Sequence, residues 1–143
     1  MTGGDAGGDR TDGTDAAAPP VVLKLGGSLI TEKDRPETLD DDALADACDA
    51  VADALEAGAV DRLVVVHGGG SFGHHHASER GVSTSDGTRD ADAVAAIHGA
   101  MKRLNARVLE RLRERGGPAV PVHPLSLAAR AGLLYASDAA GDR

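Results

Sequence analysis

The sequence is almost without aromatic side chains. Its 143 residues include one Phe, one Tyr and no Trp, although apolar residues of all kinds make up 41%. The hydrophobic core must therefore be built from Val, Leu, Ile and Ala. A chain of this length supports one domain with a real core, but not comfortably two.

Cysteine and long apolar runs are also scarce. The single cysteine, Cys48, excludes an internal disulfide, and its helical surroundings predict a small buried thiol. No apolar run approaches the roughly 18–20 residues of a membrane span. The N-terminus, MTGGDAGGDRTDGTDAAAPP, lacks the hydrophobic region of a secretory signal. We therefore predict a cytoplasmic protein with no membrane partner.

Positively charged residues are fewer than negatively charged ones. The chain has 17 Asp and 6 Glu against 12 Arg and 3 Lys, and its formal net charge is -8. Nonspecific binding of nucleic acid requires a net basic face, so this balance argues against nucleic-acid partners. The Asp-rich, Arg-rich composition with abundant Ala and Gly indicates a halophilic or GC-rich source.

The first half of the chain divides into a tail and three predicted elements. Residues 1–20 are mostly Gly, Asp, Thr and Ala, which predicts a disordered acidic tail ahead of a domain over 21–143. The segment VVLKLGG (21–27) is typical of a strand that enters a loop, and the polar residues 28–38 predict that loop. Residues 39–58 have helical periodicity, with one apolar face formed by Leu44, Ala47, Val51 and Leu55.

The second half continues the alternation of strands and helices. DRLVVVHGGG (61–70) is a continuous apolar strand, which favours a parallel sheet covered on both faces. A helix is predicted over about 90–115, and AVPVHP (119–124) predicts a third strand. The order β-α-β-α-β indicates an α/β fold, a three-layer αβα sandwich with a mainly parallel sheet. The helix prediction rests on the spacing of Val94, Ile97, Met101, Leu104 and Val108.

Two glycine-rich loops each follow a predicted strand. They are KLGGS (24–28) and HGGGSFGH (67–74). Ligands of open α/β sheets bind beyond the carboxyl ends of the strands, and glycines let the backbone approach an anion closely. Neither loop matches the Walker A or the G-x-G-x-x-G pattern, so a nicotinamide cofactor is not favoured. One LGGS turn could be purely structural, but two such loops favour a phosphate-binding floor.

Lysine is rare, and two of the three lysines flank the first loop. A Lys within a strand is costly unless it meets an anion, so Lys24 is predicted to bind a phosphoryl oxygen. Lys33 lies beyond the loop, where an ordinary surface position remains the alternative.

Four histidines surround the second glycine loop. His74 closes the loop and is predicted to bind a phosphate, whereas His67 is expected to hydrogen-bond locally at the strand end. His75 and His76 are predicted to be ordinary residues at the start of a helix. Consecutive histidines point in different directions and no Cys or carboxylate spacing completes a tetrahedral site, so we predict no metal site.

Four segments together resemble the amino-acid-kinase superfamily and, within it, the archaeal isopentenyl phosphate kinases. In the order of that family they are LKLGGSLITEK (23–33), VVHGGGSFGH (65–74), AMKRLN (100–105) and PAVPVHPLS (118–126). The closing His of GGGSFGH is the specific part, since relatives that phosphorylate carboxylates or carbamate typically lack it.

The resemblance implies ATP- and Mg²⁺-dependent phosphorylation of isopentenyl phosphate to isopentenyl diphosphate in an archaeal mevalonate pathway. It implies that Gly69 and His74 hold the acceptor phosphate and that Lys33 stabilises charge in the transition state. It also implies contacts to the nucleotide from Lys24, Leu25, Gly26, Gly27, Ser28 and Gly70. The apolar stripe Ile97, Met101 and Leu104 is a candidate wall for the isoprenoid tail, with plain core packing as the alternative.

The C-terminal segment GLLYASDAAGDR (132–143) resembles the family's YATDVDG-type nucleotide loop, which implies that Asp138 contacts the nucleotide. This segment follows Pro124 too closely in the sequence, because a crossover from there to another parallel strand needs about a dozen residues or more. We therefore expect a truncated or internally deleted kinase whose C-terminal nucleotide half is largely absent. A kinase for another phosphate or phosphonate and a noncatalytic phosphate-binding protein remain alternatives, and the resemblance also allows a homodimer.

Overall fold

The computed structural model describes residues 18–83 and 85–124. This part of the chain contains two strands, each followed by two helices. In chain order they are β1 (Val21–Leu25), α1 (Gly27–Ile30), α2 (Asp41–Glu56), β2 (Leu63–His67), α3 (Gly70–Glu79) and α4 (Ala91–Glu114). The predicted acidic tail up to residue 17 and the predicted nucleotide contact Asp138 lie outside the described residues.

The two strands form a parallel sheet. Val21 pairs with Leu63, and the register continues without interruption to Leu25 and His67. Strands β1 and β2 therefore end side by side, and the two glycine loops leave the sheet at the same edge. The predicted α/β fold with a parallel sheet is confirmed.

The hydrophobic core lies on one face of this sheet, beneath α2 and α4. Its largest fully buried side chains are Ile30, Leu44, Cys48 and Leu104, and Leu23, Leu63 and Val65 of the strands pack against the core. Phe72, the one Phe, Tyr or Trp among the described residues, is also buried. Cys48 is a free thiol, as predicted, and burial raises its pKa.

Both long helices begin at an aspartate. The Asp40 carboxylate accepts a hydrogen bond from the Ala43 N–H at 3.0 Å, and the Asp90 carboxylate accepts one from the Asp92 N–H at 3.0 Å. These caps satisfy N–H groups that have no partner within the helix. Gly58 and Gly116 follow the helix ends with positive φ, a conformation that favours glycine. The predicted bounds of α2 and α4 are confirmed to within two residues.

The prediction of a third strand over 119–124 is wrong. Residues 117–123 are irregular, and the Ala119 carbonyl accepts hydrogen bonds from the Arg113 guanidinium at 2.8 and 3.1 Å. Pro118 and Pro121 have no N–H to donate to a neighbouring strand. The apolar alternation of this segment is therefore not sufficient for pairing within the described part of the chain.

Two helical details also differ from the sequence predictions. The predicted loop over 28–38 begins with the short helix α1. On α4, Leu104 and Val108 are buried as expected, but Val94 is 39% exposed. In that stretch of the helix the buried side chains are Ala93 and Ala100. Small side chains like these allow closer packing than Val does.

Residues 31–39 fold back as a tight loop that carries Lys33. Thr31 and Leu39 pair in an antiparallel bridge, and the Glu32 N–H donates to the Thr38 carbonyl at 3.0 Å. Near its end, Glu37 has a positive φ of 46°. The loop is thus a defined hairpin between α1 and α2, although the sequence indicated only polarity.

Glu37 joins this hairpin to α3 and α4. Its carboxylate lies 2.5 Å from His76 Nε2 on α3 and accepts hydrogen bonds from Arg103 of α4 at 2.6 and 3.0 Å. The Arg103 hydrogen bonds, followed by that of His76, lower the pKa of Glu37 to about 2. His76, expected to be an ordinary helix residue, therefore ties α3 to the hairpin.

Among the described residues, no helix is both long enough and apolar enough to cross a membrane.

The Glu37 contacts make stability depend on pH. The pKa of Glu37 is lower in the folded state than its ordinary value of 4.5, so its stabilisation is complete above that value and is lost as the pH falls towards about 2. We expect Glu37→Gln to lower the urea midpoint at about pH 6 and to have a smaller effect at about pH 3. An equal loss at both pH values would contradict a role for the charged carboxylate.

Candidate active site

The candidate site is a cleft of about 380 Å³ at the carboxyl edge of the sheet. The two glycine loops form its floor, and α1, α3 and the hairpin over 31–39 form its sides. A cleft of this size falls within the range of small-molecule sites. Its lining residues are Lys24, Gly26, Gly27, Ser28, Thr31, Lys33, Gly68, Gly69, Gly70, Ser71 and His74.

The floor is made by direct contact between two backbones. A Cβ atom added to Gly27 would overlap the backbone of Gly70, and one added to Gly68 would lie 2.6 Å from the Gly27 nitrogen. Gly70 also has a positive φ of 47°. Only residues without side chains allow the loops to approach this closely, so these three glycines have a packing role in addition to any contact with a ligand.

The Thr31 hydroxyl joins the two loops. It donates to the Gly27 carbonyl at 2.8 Å and accepts from the Ser71 N–H at 3.0 Å. Thr31 is only 3% exposed, so water cannot easily replace these partners. Ser71 extends the connection, because its hydroxyl donates to the Thr38 carbonyl at 3.3 Å. These bonds tie α1, α3 and the hairpin into one frame around the cleft.

The charge of the cleft is opposite to that of the chain. Two of its three lysines, Lys24 and Lys33, line it together with His74, and no carboxylate is among the described residues that do so. Lys24, Lys33 and His74 are exposed, so two ammonium groups and an imidazole are accessible to a ligand. Cations gathered in a cleft of an acidic protein attract an anionic ligand.

Helix α3 adds N–H groups to the same cleft. It begins at Gly70, and its N-cap residue Gly69 has no side chain that could cap the first turn. The first N–H groups of a helix have no partner within the helix and carry part of its positive dipole. One of these groups, from Ser71, is taken by Thr31, while Gly69 and Gly70 line the cleft itself.

His67 lies at the end of β2 and is fixed by two hydrogen bonds. Its Nδ1 lies 3.2 Å from the Gly68 carbonyl oxygen and its Nε2 lies 3.1 Å from Nδ2 of Asn105. Because a carbonyl only accepts and an amide nitrogen donates, these partners select the neutral tautomer protonated at Nδ1. The prediction of a local hydrogen bond for His67 is confirmed.

The structure brings together all the described residues predicted for the site except Leu25. The side chain of Leu25 is 6% exposed and belongs to the core, and its carbonyl accepts from the Gly68 N–H at 2.9 Å. It therefore supports the second loop from beneath and does not line the cleft. The residues predicted to contact the isoprenoid tail do not share one environment. Leu104 is fully buried in the core, whereas Met101 approaches Gly69 and Gly73.

Sequence reasoning missed Thr31, Ser71 and Asn105. Each lies inside a segment that the resemblance identified, yet nothing in the spacing of these polar residues marks them as partners. Thr31 and Ser71 are 40 residues apart, and Asn105 and His67 are 38 apart. Such contacts depend on how the elements pack together, and a local sequence pattern does not predict that packing.

A second cleft, of about 180 Å³, lies near the opposite end of the sheet. It is lined mainly by apolar side chains, including Val51, Leu55 and Leu63, and Asp61 is its one ionisable residue among those described. It has no cation and lies at the start of β2, away from the glycine loops. We therefore place the candidate site at the carboxyl edge.

Comparison with known proteins identifies the class of the chain. The profile of the amino acid kinase family matches residues 19–142, and the chain belongs to this family. The isopentenyl phosphate kinase of Haloferax volcanii is 64% identical over 110 residues, which are 77% of this chain and 43% of that protein. The isopentenyl phosphate kinase of Methanothermobacter thermautotrophicus is 34% identical over 124 residues, 82% of this chain and 46% of that protein.

A solved structure agrees with these relatives. The crystal structure of an isopentenyl phosphate kinase substrate complex matches with a TM-score of 0.64 and 29% sequence identity. The match covers 84% of this chain and 50% of the solved chain. The chain thus spans half or less of the length of each of these three relatives.

The contact between the glycine loops can be tested with two neighbouring residues. We expect Gly27→Ala to destabilise the fold by several kcal/mol, on the order of other overpacking changes, because its Cβ would overlap the Gly70 backbone. Gly26→Ala is the matched control, since a Cβ there meets nothing within 4 Å. Urea unfolding checks both variants, and equal midpoints would show that the loops do not touch as described.

The Thr31 bridge can be tested with an isosteric change. Thr31→Val keeps the shape but leaves the Gly27 carbonyl and the Ser71 N–H without their partner, so we expect a loss of about 1–3 kcal/mol in unfolding free energy. Thr31→Ser should retain most of the stability. Thr38→Val is the control because its hydroxyl bond to the Pro36 carbonyl is exposed. A Thr31→Val loss no larger than that of Thr38→Val would refute the bridge.

Proposed function

We propose that this chain provides the phosphate-binding part of a kinase that transfers the γ-phosphoryl group of ATP to isopentenyl phosphate, giving isopentenyl diphosphate. The observation that carries the proposal is the cleft that joins Lys24, Lys33, His74 and the start of α3, with no carboxylate among its described lining residues. The names of the relatives support the same reaction, since those proteins are isopentenyl phosphate kinases.

The chemistry requires alignment more than acid–base catalysis. A phosphate monoester has its second pKa near 6, so the acceptor is already ionised at neutral pH and needs no strong base. The difficulty is to hold two anions in line and to neutralise the charge between them. A cleft with two ammonium groups, a histidine and backbone N–H donors meets this requirement.

The proposal divides the residues of the cleft between the two substrates. We assign the acceptor phosphate to Gly69 and His74, next to the first turn of α3. The phosphates of ATP are assigned to the floor and its first loop, through Lys24, Gly26, Gly27, Ser28 and Gly70. Lys33 lies on the hairpin over 31–39. We assign to it the stabilisation of the negative charge that develops on the phosphoryl group during transfer. Leu25 has no assigned contact, because its side chain lies in the core.

The residues present fit a polyphosphate, because two ammonium groups, an imidazole and backbone N–H groups line the cleft. The described residues contain no group of three or more His, Cys, Asp or Glu side chains that could hold a metal ion. Mg²⁺ usually binds such substrates through their phosphate oxygens with few protein ligands. Bound in that way, Mg²⁺ would neutralise part of the charge on ATP, while the two lysines neutralise the rest.

The adjacent histidines offer a matched test of the proposed acceptor site. His74 lines the cleft, whereas His75 lies 3.4 Å from Glu79 on the same helix. We expect His74→Ala to weaken equilibrium binding of isopentenyl phosphate by about 10–100-fold, the value of one hydrogen bond to a charged group. His75→Ala should change the affinity less than about twofold. Calorimetry in high salt measures both affinities.

Turnover is measured beside binding, as conversion of isopentenyl phosphate to the diphosphate with ATP and Mg²⁺. Turnover that is lost in His74→Ala supports the proposed kinase and its acceptor ligand. Binding without turnover supports the acceptor site alone and points to a noncatalytic role for this chain. Binding of other phosphates in preference to isopentenyl phosphate would favour a different kinase of the family. Absence of both binding and turnover would refute the proposal.

A further inference from the structure

Lys33 and Glu37 are the first and last residues of one turn. The hairpin over 31–39 closes with the hydrogen bond from the Glu32 N–H to the Thr38 carbonyl at 3.0 Å, and the turn lies directly beyond this pair. Among the described residues, every hydrogen bond and ion pair that joins the turn to another element involves Glu37. The position of Lys33 therefore depends on how Glu37 is held.

Two helices hold Glu37 in a conformation that it seldom adopts without support. Its φ of 46° lies in the left-handed region, which side chains other than those of Asn and Asp rarely occupy. Arg103 donates to both carboxylate oxygens, from Nε to Oε2 at 3.0 Å and from Nη2 to Oε1 at 2.6 Å. A forked contact of this kind fixes orientation as well as distance, so it opposes relaxation of the turn.

The contact between Glu37 and His76 relates the turn to the helix that carries His74. His76 Nε2 lies 2.5 Å from Oε1 of Glu37, and both side chains are half-buried. Residues two apart on a helix point to different sides, so His74 lines the cleft while His76 contacts the hairpin. The contact thus sets the spacing between the Lys33 turn and the histidine across the cleft.

We infer that Glu37 is a positioning residue for Lys33. Through His76 and Arg103 it holds the turn in the arrangement that brings Lys33 to the cleft, although Glu37 itself is not among the lining residues. The inference rests on the proposed function only in the assignment of Lys33 to a phosphoryl group. It requires a phosphate-bearing ligand in the cleft and does not require isopentenyl phosphate.

Direct charge and positioning predict opposite effects of removing the Glu37 carboxylate. A carboxylate near an anion site repels the anion, so Glu37→Gln would tighten binding if the charge of Glu37 acted directly. If Glu37 acts by holding Lys33, the same change weakens binding. Glu32→Gln is the matched control, because it changes the net charge equally on the same hairpin and removes a local pair with Arg35.

The test measures the affinity of the full chain for inorganic tripolyphosphate by calorimetry in high salt. We expect Lys33→Ala to weaken binding by about 10–100-fold, the value of one hydrogen bond to a charged group. Glu37→Gln should weaken it by about three- to tenfold, but by less than about twofold in the Lys33→Ala background, where no ammonium remains to be positioned. Glu32→Gln should change the affinity less than about twofold.

Arg103→Gln breaks the same contact from the side of α4. It should also weaken binding in the unchanged chain and have little effect in the Lys33→Ala background. Because it changes the net charge in the opposite direction to Glu37→Gln, a loss in both variants does not follow from net charge. Should Glu37→Gln fail to fold, as judged by urea unfolding, the comparison between the two backgrounds is made with Arg103→Gln.

Four results would overturn the inference. They are no binding of tripolyphosphate by the unchanged chain, an unchanged affinity in Lys33→Ala, an affinity in Glu37→Gln that is unchanged or tighter, and an equal loss from Glu37→Gln in both backgrounds. The last result would give Glu37 a general role in stability. A chain that meets the expectations with tripolyphosphate but does not bind isopentenyl phosphate supports the inference and counts only against the proposed substrate.

Discussion

The close approach of two backbones at Gly27, Gly68 and Gly70 is the constraint on which the candidate site depends. A side chain at Gly27 or Gly70 would push the loops apart, and the Thr31 hydroxyl could no longer reach both Gly27 and Ser71. The loops meet because β1 and β2 end side by side in the parallel register. The sheet thus determines where the loops lie, and the glycines determine how closely they pack.

Charge explains why the resulting cleft suits an anionic ligand. The protein as a whole is acidic, yet the cleft combines Lys24, Lys33 and His74 with the start of α3. Lys33 reaches it from a hairpin that Glu37 ties to two helices, through contacts that also lower the pKa of Glu37. Glu37 thus helps to position the loop that carries Lys33, and no acidic side chain is among the described residues that line the cleft.

The sequence by itself determined the elements whose signals are local. Apolar runs ending in glycine marked β1 and β2, aspartates and glycines marked the ends of α2 and α4, and the glycine loops with His74 indicated a phosphate site. The tertiary structure alone decided which distant groups meet: Thr31 with Ser71, Asn105 with His67, and Glu37 with Arg103. It also decided that 119–124 does not pair as a strand and that Leu25 supports the cleft from the core. The physical reason is that periodicity and capping act within a few residues, whereas burial and hydrogen bonding across 30 to 70 positions follow from packing.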